Sequence, residues 1–125
     1  MTTLAVVLAL AAGALHVGVG VVEAFFFHRA WAQQFLLRTS SSPREVDLWA
    51  FNVGFYNVFL GVGTIVGAVL AATGDVTAGR ALVLFTATFM LLGGIVLWVS
   101  DHRLWTGTLG QSGFGLATLL ATLAS

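Results

Sequence analysis

The sequence predicts an all-α integral membrane protein, an antiparallel bundle of four transmembrane helices, on three observations. Of 125 residues, 58% are hydrophobic and only 8% are charged. The mean hydropathy is +0.99. Polar residues gather in short segments that leave four apolar runs between them. A soluble domain carries roughly 25% charged residues because its surface must face water. Five Lys/Arg and five Asp/Glu cannot cover a soluble surface of this size, so the outside is expected to meet lipid. At about 20 residues per span, the length allows four or five spans and no separate soluble domain.

The first span is expected over about 3–27. Its alanine-rich start resembles a secretory leader, but Met1-Thr2-Thr3 supplies no basic segment and the apolar run continues to Phe27. It reads as a retained span. The polar stretch from His28 to Asp47 is the longest loop, with an interfacial helix over 29–37 continuing from the first span and presenting Trp31, Phe35 and Leu36 to lipid. Ser42-Pro43-Arg44-Glu45 has the form of a helix start, with Ser42 as N-cap, Pro43 at the first position and Glu45 closing a capping box. The second span is expected over about 45–72 and ends at Gly74, a natural C-cap. The third follows over about 78–100. Asp101-His102-Arg103 is a loop, and the fourth span covers about 104–124. All 125 residues thus form one four-span domain.

The two ends of this bundle differ chemically. Trp31, Trp49, Trp98 and Trp105 all fall at the side of the first and third loops, as interfacial anchors do. Arg29, Arg38, Arg44 and Arg103 lie on that side, and Arg80 alone lies opposite. The excess of basic residues places the tryptophan end in the cytoplasm and both termini outside, in a cell membrane.

Polar side chains within spans are costly and often functional. The first span carries His16 and Glu23, the second Asn52, Tyr56 and Asn57, and the fourth Gln111. At 1.5 Å rise per residue, Glu23, Asn52 and Gln111 share a level near the tryptophan end, with Glu23 about 6 Å in. His16, Tyr56 and Asn57 share a deeper one, about 15 Å in. The other half holds almost nothing polar beyond threonines, so the pattern predicts a polar pocket in one leaflet. Seven residues separate His16 from Glu23, which returns to nearly the same helix face. Gly13 and Gly20 lie on that stripe and admit a close neighbour. Asn52 and Tyr56 share one face of the second span. Asn57 lies on another, with Gly54, Gly61 and Thr64. The plain alternative for each polar residue is an interhelical bond that holds the bundle, and the plain role of Gly63 and Gly67 is helix packing.

These residues carry a resemblance. His16 followed by Glu23, then Asn52-Val53-Gly54-Phe55-Tyr56-Asn57 opening the second span, resembles the DUF1304 family of small four-span membrane proteins. Its second helix begins with an Asn-Gln-Gly-x-Tyr-Asn-like motif and runs on into an apolar glycine-bearing stretch, matched here by Phe59-Leu60-Gly61-Val62-Gly63. Val53 departs from the expected glutamine, and Gln111 resembles a glutamine of the last helix. The family is one of unknown function, so the resemblance implies an architecture and a polar set without a reaction.

Several functions are compatible with this pattern. The leading expectation is a site in the cytoplasmic leaflet that binds or converts a small amphipathic, lipid-like or isoprenoid-like molecule. Were it catalytic, His16 and Glu23 would transfer protons, since imidazole exchanges them near neutral pH. Asn52, Tyr56, Asn57 and Gln111 would hold the ligand. Isomerisation or hydration fits, and neither needs a cofactor. A transporter or channel component is the alternative, and would require a homo-oligomer to enclose a path. A structural or accessory subunit is a third reading. Metal binding is weakest, because His16, Glu23, His28 and His102 include no tight pair such as His-x-x-x-His. Zero formal net charge leaves no basic surface for nucleic acid, and the absence of cysteine excludes disulfides and thiol catalysis.

Overall fold

A computed structural model describes residues 1–39 and 44–125, and its regular structure among these residues is helical throughout. The expected helix start at Ser42 and Pro43 lies outside the described residues. Helix α1, Thr3–Val21, opens on Thr2, whose hydroxyl accepts from the Ala5 amide at 3.3 Å. It runs on as a π-helical turn, Val22–Phe26. A turn follows, and Arg29 adopts an extended backbone before α2, Ala30–Leu37. Helix α3, Arg44–Thr73, stops at Gly74, whose φ of 130° suits a residue without a Cβ. Asp75 caps α4, Val76–Ser100, through its carboxylate and the Ala78 amide at 3.0 Å. Asp101 opens a 3-10 turn, His102–Leu104. Helix α5 then begins as α-helix at Trp105–Thr108, widens into a π turn at Leu109–Gly113 and finishes as α-helix at Phe114–Leu123.

Among the described residues five helices therefore stand where four spans were expected. The additional one is α2, a separate helix and not a continuation of α1, because the turn before it redirects the chain. Of its three residues expected to face lipid, Trp31 and Phe35 are exposed, whereas Leu36 is half-buried. Among the described residues three helical segments are long and apolar enough to cross a membrane: Thr3–Phe26, Arg44–Thr73 and Val76–Ser100. Their 24, 30 and 25 residues span about 36, 45 and 38 Å at the α-helical rise, more than the roughly 30 Å of bilayer hydrocarbon. Helix α5 is not among them, since glycine, threonine and Gln111 dilute its first half.

Small residues set the packing. A Cβ placed on Gly20 would meet the Gly54 carbonyl and the Val58 amide, and one on Gly61 would lie 2.5 Å from the Gly13 carbonyl. Residue 13 thus faces 61 and residue 20 faces 54, so α1 and α3 run antiparallel with backbones in contact. Gly67 and Gly79 bring α3 against α4 in the same sense. Gly115 seats α5 on α4, where an added Cβ would lie 2.8 Å from the Leu91 amide. The Ser112 hydroxyl reinforces that contact by donating to the Leu91 carbonyl at 2.8 Å. The interior is built from alanine, glycine and threonine, including Ala5, Ala9, Ala12, Ala68, Ala87, Thr64 and Thr118. Most large apolar side chains, among them Phe59, Phe85, Leu92 and Val96, point outward, while Met90 and Val83 are fully buried. This reverses the pattern of a soluble core.

Candidate functional site

The helices do not close at the tryptophan-bearing end. A cavity of about 690 Å³ opens there between α1, α2, α3, the end of α4 and the start of α5. Its walls are mainly apolar, with Leu15, Val19, Phe27, Leu36, Ala50 and Leu97 among them. His16, Glu23, Gln34, Arg38, Asn57, Thr106 and Gln111 supply polar atoms. The opposite end is filled, with Ala9, Ala68 and Val83 in mutual contact and Met1 and Val6 against them. An apolar pocket with a few convergent polar groups is the usual form of a small-molecule site.

Each polar group has a local reason for its position. His16 is 4% exposed, and its Nδ1 lies 3.0 Å from the Ala12 carbonyl one turn back. A carbonyl only accepts, so Nδ1 carries the hydrogen and Nε2 of the neutral ring is an acceptor. Glu23 sits in the π turn of α1. Its carboxylate accepts from the Asn57 side-chain amide at 2.6 Å, across the α1–α3 contact. Gln111 sits in the π turn of α5, its amide packed over Gly93. The two π turns lie on different helices and flank one cavity. Single π turns of this kind are frequent at functional positions.

Four of the six expected site residues line the cavity together: His16, Glu23, Asn57 and Gln111. Asn52 and Tyr56 do not. Asn52 is exposed and donates to the Leu48 carbonyl of its own helix at 2.8 Å, and Tyr56 is 67% exposed on the outer face. The cause is the roll of α3. Gly54, Gly61 and Thr64 must face inward for α1 to approach, and they carry Asn57 with them while turning the Asn52–Tyr56 face out. Sequence reasoning missed Arg38, Gln34 and Trp49, which line the cavity. Trp49 shares a loop-proximal level with the polar set, which was a usable signal. Arg38 and Gln34 depend on α2 folding back over the end of the bundle. The Arg38 guanidinium reaches the Thr106 hydroxyl at 3.4 Å, linking α2 to α5. Among the described residues no three His, Cys, Asp or Glu side chains gather in a way that could hold a metal ion.

The family described as "Protein of unknown function (DUF1304)" matches residues 9–123, nearly the whole chain. The chain belongs to the DUF1304 family. No curated protein and no solved structure matches it. The DUF1304 match runs through every helix that bounds the cavity, from α1 to α5.

Proposed function

We propose that this DUF1304 protein is a four-span membrane protein whose cavity binds a small amphipathic molecule within the cytoplasmic leaflet. Helix α5 is the fourth span in this reading, supported by its contact along α4 through Gly115 and Ser112. The observation that carries the function is the cavity of about 690 Å³, open at one end of a bundle that is packed shut at the other. Its apolar walls suit a hydrocarbon chain. Its polar set, His16, Glu23, Asn57 and Gln111, suits a hydroxyl or carbonyl. Asn52 and Tyr56 have no part in it.

The test is photolabelling of the reconstituted chain with a long-chain alcohol bearing a diazirine on its alkyl part. Labelling is expected at Leu15, Val19 and Leu97, and excess unlabelled alcohol should displace it. Label spread over the outer residues Phe85, Phe89 and Leu92, with no displacement from the cavity, would refute the binding site.

A second reading, acid–base conversion of the bound molecule, is favoured by one observation: the acceptor nitrogen of His16 and the Glu23 carboxyl group belong to the same cavity. Glu23→Gln keeps shape and hydrogen bonding while removing ionisation, and should retain photolabelling but lose turnover. Full turnover in that variant would exclude proton transfer by Glu23. His16→Ala should leave the melting temperature in detergent nearly unchanged, since among the described residues the ring bonds only to its own helix. A large drop would mark His16 as a bundle support instead.

A further inference from the structure

The cavity contains two groups of opposite formal charge, Glu23 on α1 and Arg38 at the end of α2. They form no ion pair with each other, and the described residues place no carboxylate within salt-bridge distance of Arg38. Among the described residues its guanidinium donates to the neutral hydroxyl of Thr106 alone. Its backbone is also unusual. Arg38 closes α2 with φ 55° and ψ 31°, a left-handed conformation that a helix end normally gives to glycine. That geometry is strained for a residue with a side chain. Here it brings an arginine to the cavity rim.

From this arrangement we infer that the occupant is an anionic single-chain amphiphile, with its carboxylate or phosphate on Arg38 and its chain running inward past Val19 and Leu97. The inference rests on the cavity being a binding site and names the chemistry of its ligand. Three features carry it. A planar guanidinium matches the two oxygens of a carboxylate or phosphate. Arg38 is part of the exposed loop region, where a charged head stays partly hydrated, whereas the apolar walls lie inward. Glu23 disfavours an anionic head inward of the rim, so the charges favour a head at Arg38. The Glu23–Asn57 pair then receives any hydroxyl on the chain.

The experiment is displacement of the photoreactive alcohol from chain reconstituted in zwitterionic lipid. The competitors are an alcohol, a fatty acid, an alkyl phosphate and an alkylammonium of equal chain length, together with inorganic phosphate. The acid or the alkyl phosphate should compete about tenfold better than the alcohol, as a charge-assisted bond would give. The stronger of the two identifies the head group. The ammonium should do no better than the alcohol. Arg38→Gln should abolish the anion's advantage over the alcohol, and Arg38→Lys should keep part of it. Equal competition by acid, phosphate and alcohol in the wild type would overturn the inference while leaving the cavity as a site. So would an anionic advantage that survives Arg38→Gln, or displacement by inorganic phosphate alone. If no amphiphile displaces the label, the binding-site reading itself fails.

Discussion

Asp101 shows how a single half-buried side chain orders the turn after α4. The Arg103 guanidinium donates to its carboxylate, with Nη2 at 2.6 Å and Nε at 3.0 Å, and the Arg103 amide adds a bond at 2.9 Å. These bonds hold the Asp101 carboxyl at about 2, below its ordinary 3.8. Because the folded-state value is depressed, the contribution to stability is complete above the ordinary value and is lost as pH falls towards about 2. An NMR titration of the Asp101 carboxyl should show a midpoint near 2, and Arg103→Gln should raise it. A wild-type midpoint at or above 3.8 would remove this bonding from the account. The same scale shows what the sequence could reveal about the site. The seven-residue spacing of His16 and Glu23 was enough to place both on one face. Spacing also separated Asn57 from Asn52 and Tyr56, but could not say which face turned inward. The close approach of α1 at Gly54 and Gly61 decided that, and it depends on backbone contacts between helices. Arg38 was illegible because its position depends on the reversal between α1 and α2.

At the scale of the helices, glycine pairs determine where backbones touch, and they are not equivalent. Gly63 and Gly67 form a GxxxG motif on α3, yet a Cβ on Gly63 would meet only the Thr86 methyl at 3.7 Å, an ordinary contact. One on Gly79 would collide with the Ala71 amide and lie 2.5 Å from the Gly67 carbonyl, both backbone atoms that cannot move aside. Gly79→Ala is therefore expected to destabilise the bundle by about 1–3 kcal/mol, the usual cost of overpacking. Gly63→Ala should be neutral or stabilising by up to about 1 kcal/mol, since alanine favours helix. Detergent unfolding of the two variants compares them directly, and equal destabilisation would show that the α3–α4 contact lies elsewhere. The motif was visible in the sequence, but its unequal halves were not. Helical content was legible from the apolar runs. The π turns at Val22–Phe26 and Leu109–Gly113 were not, because nothing in their composition differs from an ordinary helical turn. Helix α2 emerged only in part, since eight residues with a modest apolar face read equally well as an extension of α1.

On the scale of the whole chain, the distribution of residues makes one end of the bundle different from the other. Trp31, Trp49, Trp98 and Trp105 are all exposed and belong to the end that holds the cavity. Arg38 and Arg103 lie at that end too, whereas Arg80 sits at the other, donating to backbone oxygens of Ser125 and Leu123. Aromatic side chains prefer the membrane–water boundary, and basic loops are retained on the cytoplasmic side. The proposal that the cavity mouth faces the cytoplasm rests on that excess of basic residues. The native chain has no cysteine, so single cysteines report topology without background. His102→Cys lies in the loop at the mouth and Thr77→Cys at the opposite end, and both positions are exposed. A membrane-impermeant maleimide applied to intact cells should label Thr77→Cys at once and His102→Cys only after permeabilisation. The reverse pattern would turn the mouth outward and make the binding site one for an extracytoplasmic ligand. Labelling of both positions in intact cells would mean that α4 does not cross the membrane, and the four-span reading would fall with it.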